Sequence, residues 1–439
     1  MTGTGCMRRQ SGLSLIELMV AMVLGLLVAA GIVNIFISGL ANYRAQSQLA
    51  QVQEEGRYAI GRLTDDLRMA NAQYCTSTGG VASQGASGLL LDGLRAPVVY
   101  ARDLSGAFKD KDLTTDWGHT SGSNTYPAMP AAPYSMPSFL WMRGYDCDKQ
   151  TCMPIKPPAA VAPAMGVTPG SRVIGSSVLT LRYIDNARGW ALGSRSYVVA
   201  DPTTGLVSSI HLAPAADEPP LSDFKAGDLA MFADCSGAQV FAVSGSPDLA
   251  PDPSRNFAQP IARTPYSAPR LFDFNRDLVT VTYYLKVVAD EDGSTTGALI
   301  RKDYTGGQEL VRGVERLDFL YGVEDSDGNT RYLTADDVDS NAGGRIACPP
   351  STALPLNTDP GCLWRAIKSI EVRLLLSGPK PLYTLTDKER MYAYQSDGLD
   401  RPAPPGAQQR RVSPASQGFV DAKVRREFIA LVSLRNYNP

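Results

Sequence analysis

The hydrophobic positions of the chain begin with an almost unbroken apolar run over residues 13–33. Only Ser14 and the carboxylate of Glu17 interrupt it. About 20 apolar residues in a helix are enough to cross the hydrocarbon core of a bilayer. Arg8 and Arg9 precede the run, and basic residues favour the cytoplasmic side of a membrane. The pattern therefore predicts a membrane-spanning helix that leaves the carboxyl-terminal bulk of the chain outside the cytoplasm.

The apolar run continues directly into an amphipathic segment. Apolar or small residues follow one face at spacings of three and four, at Leu49, Val52, Gly56, Ala59, Ile60, Leu63, Leu67 and Ala70. This is the spacing of one face of an α-helix. We expect a single helix from residue 13 to about residue 71, roughly 90 Å long at the usual rise per residue. Its first half suits a membrane, and its second half suits packing on a sheet.

Beyond Cys75 the pattern changes to short apolar runs separated by Gly, Pro, Asp and Ser, which is typical of strands and turns. The predicted strands are residues 178–184, 228–232, 239–243, 278–288, 298–302, 314–323, 367–376 and 427–434. Two of them alternate strictly, and their apolar faces are expected to pack on the helix: Leu317, Phe319, Tyr321 and Val323, and then Ile370, Val372, Leu374 and Leu376. The predicted fold class is α+β, a long amino-terminal helix packed on a large, loop-rich and mostly antiparallel β head.

Three stretches have the length and the Pro and Gly content of exposed loops, at residues 105–170, 214–222 and 401–418. The first contains Tyr126 and Tyr134 among several prolines. It could form a recognition surface, although an irregular surface excursion is the more common meaning of such a run. The turn-rich segments 290–293 and 325–329 are predicted hairpin tips.

The composition agrees with an exposed β head. The chain has 40 glycines and 31 prolines, and only 20% of its residues are charged. These proportions favour a loop-rich β module over a helical bundle. The formal net charge of −2 gives no electrostatic reason to expect nucleic acid as a partner.

Seven cysteines are present, of which Cys6 precedes the apolar run. The other six are candidate disulfide cysteines: Cys75, Cys147, Cys152, Cys235, Cys348 and Cys362. None belongs to a Cys-x-x-Cys pair, and the only histidines are His119 and His211, so the usual zinc spacing cannot be built. Disulfides suit an exported protein. Short separations favour pairing Cys147 with Cys152 and Cys348 with Cys362. That would leave Cys75 for Cys235, and buried free thiols are the alternative.

The common catalytic motifs are not found in the sequence. It contains no phosphate-binding G-x-x-x-x-G-K-[ST], no H-E-x-x-H and no G-x-S-x-G. A calcium-type spacing places Asp325, Asp327, Asn329 and Asp336 at loop positions 1, 3, 5 and 12. However, Thr330 replaces the glycine needed at position 6, so a solvated hairpin tip is the better interpretation. We therefore expect no enzymatic activity, no cofactor and no metal.

Three ordinary interpretations of the apolar run do not agree with the sequence around it. A secretory signal peptide would have a small-residue cleavage site after the run, but the run continues into a patterned helix. A lipoprotein signal would place its cysteine after the apolar core, whereas Cys6 precedes it. A plain membrane anchor does not explain Glu17. A carboxylate near the centre of a membrane helix costs about 2 to 3 kcal/mol on insertion scales, and even near the end it needs a partner. A carboxylate in this position indicates a function.

The heptapeptide Gly12-Leu13-Ser14-Leu15-Ile16-Glu17-Leu18 resembles the type III signal of type IV prepilins. The resemblance implies cleavage after Gly12 by an inner-membrane prepilin peptidase and N-methylation of the new first residue, Leu13. That residue is commonly Phe in the family, so Leu13 is a departure. The family glutamate falls on Glu17, where it would pair with the α-amino group of a neighbouring subunit during assembly. A second start at Met7 would give a six-residue leader without Cys6.

Four further segments resemble the PilW subfamily of minor pilins. They are residues 43–70, 228–241, 309–329 and 426–436. The resemblance implies a structural subunit that helps to initiate type IV pilus assembly and serves adhesion and twitching motility. Its implied partners are other minor pilins, the major pilin and a tip adhesin. It would reside in the bacterial inner membrane with a periplasmic head, and then in the pilus fibre or at its tip.

The expected organisation follows from these observations. Residues 1–12 form the leader, 13–39 the transmembrane and fibre-core helix, 40–72 the amphipathic helix, and 73–439 the head. A division of the head into sub-modules at about 73–250 and 270–439 is one option. Two alternative functions stay open, a minor pseudopilin of a type II secretion system and a membrane-anchored extracytoplasmic binding or enzymatic domain.

Overall fold

The computed structural model describes the chain from Ser14 to Arg435, apart from residues 76–80, 86–87, 93–95, 105–106, 109–116, 122–123, 222–223, 236, 246–247, 263–267, 291–292, 326, 341–360 and 400. The expected cleavage junction at Gly12 and Leu13 therefore lies outside the described residues. So do Cys6 and Cys348. The tip of the predicted hairpin at 290–293 is described only at its two ends.

One helix, α1, runs without a break from Leu15 to Met69. No proline interrupts these residues, and at the usual rise the helix is roughly 80 Å long. Just after it, Asn71 has φ 61° and Tyr74 has φ 71°. This left-handed conformation is unfavourable for most residues and cannot continue a right-handed helix. The prediction of a single helix from the membrane segment into the head is confirmed.

The head contains the short helices α2 (Ser138–Trp141), α3 (Phe274–Asp277), α4 (Ala335–Ser340) and α5 (Asp387–Arg390), and 3-10 turns at Cys362–Arg365, Gln395–Asp397 and Pro414–Gln417. Its first strands are β1 (Val81–Gly85), β2 (Gly88–Asp92), β3 (Val98–Val99), β4 (Thr120–Ser121), β5 (Asn124–Thr125), β6 (Tyr134–Ser135), β7 (Met142–Cys147), β8 (Cys152–Met153), β9 (Met165–Gly166), β10 (Arg172–Val173) and β11 (Val178–Ile184).

The next strands are β12 (Trp190–Ala191), β13 (Tyr197–Ala200), β14 (Val207–His211), β15 (Leu229–Ala233), β16 (Ala238–Ala242), β17 (Asp248–Leu249) and β18 (Arg270–Asp273). The last are β19 (Leu278–Ala289), β20 (Thr295–Asp303), β21 (Gly306–Arg312), β22 (Val314–Glu324), β23 (Thr330–Leu333), β24 (Ile367–Ser377) and β25 (Arg425–Ser433). Each predicted strand is present, with bounds shifted by at most a few residues, and the α+β fold class is confirmed.

The two main sheets of the head pack on each other. The larger has the order β21-β20-β19-β11-β7-β8, with β10 paired to β19 and β9 paired to β10, and the second has the order β23-β22-β24-β25. They meet at β22, whose Leu317 carbonyl accepts from the Ser177 amide at 2.8 Å. Helix α1 lies on β24 and β25 and also contacts β11 and β21 of the larger sheet. The predicted apolar faces of β22 and β24 are buried.

The two predicted faces have different neighbours. Leu374 lies opposite Phe428 of β25, and a Cβ on Gly56 of the helix would overlap the Phe428 ring. On β22, Tyr321 packs edge-on against Trp364, with ring centroids 4.9 Å apart, and next to Gly144 of β7. The helix therefore covers the β24 and β25 end of this face, while the β22 end turns toward the larger sheet.

Residues 185–277 form a module inserted between two neighbouring strands. Strands β11 and β19 pair directly, with Ile184 opposite Leu278, and the Asp185 amide donates to the Asp277 carbonyl at 2.9 Å where the chain leaves and returns. The module has a core of its own, made of Trp190, Val207, Ile210, Leu212, Phe224, Ala230, Phe232, Phe241, Val243, Leu249, Ala262 and Leu271. Its strands β13, β14 and β17 form one sheet, and its strands β12, β18, β15 and β16 form a second sheet that β3 and β6, from outside the module, extend at one side.

The division of the head into sub-modules at about 73–250 and 270–439 stays a prediction. The larger sheet combines β7 and β11 from the first of those ranges with β19, β20 and β21 from the second. One continuous core also draws on both ranges. Residues 185–277 are inserted in the chain between β11 and β19, and several of their apolar side chains, such as Met231 and Phe272, belong to this continuous core.

Within the segment 105–170, the prediction of an exposed loop is wrong for residues 134–147, which are almost all buried, whereas the described parts of 117–133 and 148–170 are mostly exposed or half-buried. Tyr126 is 1% exposed and Tyr134 is 0% exposed. Helix α2 and strand β7 follow, both buried. In the predicted loop at 401–418, Arg410, Val412 and Gln417 are buried as well. Proline and glycine indicate an irregular backbone, but the aromatic and apolar residues between them are what the fold buries.

A buried carboxyl, Asp273, lies where the inserted module leads back into β19, and it makes the stability of the fold depend on pH. Asp273 caps α3, and its Oδ1 accepts from the amides of Asn275 at 3.1 Å and Arg276 at 3.2 Å. Burial and then the neighbouring Asp277 carboxylate raise the pKa of Asp273 to about 6. Because the unfolded pKa is near 3.9, the folded state binds more protons between these values. The stabilisation is complete below about pH 4 and is lost as the pH rises through about 6.

Replacing Asp273 with asparagine is expected to remove this loss. Asparagine keeps an oxygen for the two amide bonds of the cap but carries no charge to desolvate. Asp273→Asn should be more stable than the wild type at pH 7.5 by on the order of 2 kcal/mol, and the two should converge at pH 4. Urea unfolding between pH 4 and pH 7.5 measures this difference in stability. Asp201→Asn is the control, since the pKa of this exposed turn carboxylate is lowered by hydrogen bonds from Thr204 and Thr203. A parallel rise in both variants would contradict the assignment to Asp273.

Candidate functional site

The amino-terminal half of α1 is an exposed apolar rod. Every residue from Ser14 to Leu40 is exposed, with Leu15 at 76% and Ile35 at 75%. The helix is long and apolar enough to cross a membrane by length and composition. So much apolar surface is unstable in water and requires a lipid or protein environment. We call residues 14–40 the apolar rod.

Glu17 is the only charged residue of the apolar rod. It lies in the first turn of α1, where the helix dipole favours a negative charge. Its Oε2 accepts from the Ser14 amide at 3.1 Å, which satisfies one of the backbone donors left unpaired at a helix start. The carboxylate is therefore folded back toward the amino terminus. An ammonium group entering an apolar environment at this end would meet it directly.

A polar joint fixes the second half of α1 to the head. Asp66 accepts from Tyr283 Oη at 2.6 Å, from Tyr183 Oη at 3.2 Å and from Arg301 Nε at 2.6 Å. Tyr283 Oη also lies 3.2 Å from the Arg62 carbonyl. Burial, and then the Asp66 carboxylate, raise the pKa of Tyr283. Asp66, Tyr183, Tyr283 and Arg301 are called the helix joint below.

The helix joint was not predicted from the sequence, although a signal for it exists. Asp66 lies three residues after Leu63 and four before Ala70, so it sits on the apolar face of the helix. A carboxylate on a face that packs against a sheet needs a partner. The partners come from β11, β19 and β20, which are far away in the sequence. The sequence therefore indicates the carboxylate but not its partners.

Two of the three expected cysteine pairs are present as disulfides. Cys75 is joined to Cys235, which ties the chain just after α1 to the inserted module. Cys147 is joined to Cys152 across the hairpin of β7 and β8. Cys362 begins a 3-10 turn, but its expected partner Cys348 lies outside the described residues.

The calcium-type sequence forms a hairpin tip between β22 and β23. Asp325 accepts from the Asp327 amide at 3.0 Å, from the Asn329 amide at 2.9 Å and from Arg331 Nε at 2.7 Å. Its carboxylate is therefore used to close the turn. Among the residues that the structure describes, no group of three or more His, Cys, Asp or Glu side chains could hold a metal ion. His119 is exposed, as expected for a surface loop.

Comparison with known families gives two matches, one at each end of the chain. Residues 7–33 match the family model described as "Prokaryotic N-terminal methylation motif". Residues 282–436 match PilW, described as "Type IV Pilus-assembly protein W". The second range contains β20 to β25 and most of β19, and it leaves the inserted module out. No curated protein and no solved structure matches the chain. The resemblances drawn from residues 12–18, 309–329 and 426–436 are thereby confirmed, whereas the segments 43–70 and 228–241 lie outside both matched ranges.

Proposed function

We propose that this PilW-type pilin with a prepilin signal is a non-catalytic minor subunit that helps to initiate type IV pilus assembly. The observation that carries the proposal is the apolar rod, which holds a single carboxylate and is continuous with a helix fixed in the head. The matched family is a pilin-type structural family. The apolar helix and the methylation motif fit a membrane-anchored pilin.

In this proposal the subunit is first inserted in the inner membrane and is then incorporated into the fibre. The chain first spans the inner membrane with residues 13–39, leaving residues 73–439 in the periplasm, and the prepilin peptidase removes residues 1–12 between Gly12 and Leu13. Residues 40–72 connect the anchor to the head. The apolar rod then leaves the lipid and packs among the helices of neighbouring subunits. The hydrophobic effect changes little in this transfer, because both environments are apolar.

Glu17 favours transfer of the apolar rod from the lipid into the fibre. In lipid its carboxylate is costly, whereas next to the α-amino group of a neighbouring subunit it forms a charge pair in an apolar medium. A pair of this kind is much stronger there than in water, provided that its geometry is good. We infer that the neighbours are other minor pilins and the major pilin, with a tip adhesin above them.

The proposal is tested on pili sheared from cells that produce the chain. We expect the chain in the sheared fraction at a low ratio to the major pilin, and mass spectrometry should find a mature amino terminus at N-methylated Leu13. Deleting its gene should reduce the number of surface pili, and restoring the gene should recover them. A different amino terminus, or a chain that stays in the membrane fraction, would contradict the proposal. Lost protein secretion with normal piliation would favour a pseudopilin instead.

A further inference from the structure

The side chain of Arg172, on β10, is buried beside the disulfide between Cys147 and Cys152. It is 2% exposed. Two of its nitrogens donate to backbone carbonyls. Nε donates to the Pro163 carbonyl at 3.2 Å, and Nη1 donates to the Ser176 carbonyl at 3.2 Å. These bonds fix the plane of the guanidinium. The rest of its hydrogen-bonding capacity points at the disulfide.

Both sulfur atoms of the disulfide lie within hydrogen-bond distance of this guanidinium. Nη1 is 3.0 Å from Cys147 Sγ and Nη2 is 3.3 Å from Cys152 Sγ. Cys147 is 0% exposed and Cys152 is 7% exposed. Sulfur in a disulfide is neutral and accepts hydrogen bonds only weakly, whereas a thiolate accepts strongly and carries a charge. The same two contacts would therefore be much stronger in the reduced protein.

Arg172 has no carboxylate within 4.0 Å among the residues that the structure describes, in contrast to the buried Arg143, which contacts Asp339, and Arg425, whose Nε lies 2.7 Å from Glu315. Burial lowers the pKa of Arg172 to about 10. A buried cation without a counter-ion is unfavourable. A thiolate on Cys147 would supply the missing negative charge, so the geometry stabilises the reduced state more than the oxidised one.

We propose that the disulfide of Cys147 and Cys152 is a redox site that exchanges with dithiols, and that Arg172 is its positioning residue. An incoming thiolate bonds to the more accessible Cys152 Sγ. The S–S bond breaks, and its electron pair leaves on Cys147 Sγ as a thiolate beside Nη1. The second thiol of the reductant loses its proton and displaces Cys152 Sγ, which takes up a proton. The reductant ends as a disulfide and the protein as a Cys152 thiol and a Cys147 thiolate, a two-electron exchange.

The test is a redox titration of the full-length chain in detergent with reduced and oxidised dithiothreitol. After alkylation, mass spectrometry of the peptides reports the reduced fraction of each disulfide separately. Arg172→Met should lower the equilibrium constant for reduction of the Cys147 and Cys152 bond about tenfold, or about 30 mV for two electrons. Arg172→Lys keeps the charge, so its equilibrium constant should lie between those of Arg172→Met and the wild type. The disulfide of Cys75 and Cys235 in the same sample should be unaffected.

Arg182→Met is the matched control. Arg182 is also fully buried in the larger sheet, on β11, but it donates to the Leu140 carbonyl and the Thr280 hydroxyl. We expect this variant to leave the equilibrium of the Cys147 and Cys152 bond unchanged. Equal constants for the wild type and Arg172→Met, or an equal drop in Arg182→Met, would overturn the proposal.

A second measurement does not depend on the folding of an Arg172 variant. In Cys152→Ser, the pH dependence of Cys147 alkylation gives the pKa of its thiol with Arg172 in place. Stabilisation by the guanidinium should place this value below the usual value of about 8.5. A value at or above 8.5 would overturn the proposal even if the redox variants were unstable.

Discussion

Glu17→Ala is expected to insert into the membrane normally and yet to be lost from sheared pili. The substitution removes the only charge of the apolar rod, so insertion in lipid becomes more favourable rather than less. Assembly loses the charge pair with the amino terminus of a neighbour. A loss of only about 1.4 kcal/mol would lower incorporation tenfold, and a broken pair in an apolar medium costs more than that. Immunoblots of sheared pili and of membrane fractions measure the two effects separately.

Two further variants separate charge from helix capping. Glu17→Gln can still accept the hydrogen bond from the Ser14 amide, but it carries no charge. If the charge drives assembly, this variant should behave like Glu17→Ala. If it assembles like the wild type, capping is the function of Glu17 and the charge-pair role is wrong. Glu54→Ala removes an exposed carboxylate from the part of α1 beyond the apolar rod, and it should assemble normally.

Asp66→Ala should destabilise the packing of α1 on the head by about 3 kcal/mol. It leaves Tyr183 and Tyr283 without their shared acceptor and removes one partner of a mostly buried ion pair. Breaking such a pair typically costs about 3 to 5 kcal/mol. The lower end applies here because Arg301 Nη1 keeps a contact of 2.8 Å with Asp303. Urea unfolding of the full chain in detergent, followed by tyrosine and tryptophan fluorescence, measures the loss.

Asp65→Ala is a control from the adjacent position. The Asp65 side chain is 70% exposed, and its contact with Arg62 is 3.9 Å long. Exposed pairs of this kind contribute little, so the change should stay within about 0.5 kcal/mol. Equal losses for Asp65→Ala and Asp66→Ala would show that the helix joint does not hold α1 on the head. For the proposed function, a weakened joint matters because the apolar rod and the head must move into the fibre together.

Part of this fold and site is visible in the sequence because it depends on local patterns. The helix from Leu15 to Met69 follows from an apolar run and a face of period 3.6, without a proline to end it. The strands β22 and β24 follow from strict alternation. Gly12, Leu13 and Glu17 lie within residues 7–33, which match a linear motif that can be recognised without the rest of the chain.

The sequence determined that the protein has an apolar rod with one carboxylate, an amphipathic helix, a β head and six cysteines suited to disulfides. Only the tertiary structure decided which distant segments meet. It paired β11 with β19 across the inserted module, placed Arg172 on a disulfide, and gave Asp66 its partners from three strands. The physical reason is that periodicity records whether a side chain faces an apolar environment. It does not record which other segment provides that environment, because burial and charge pairing are satisfied by any neighbour of suitable shape and sign.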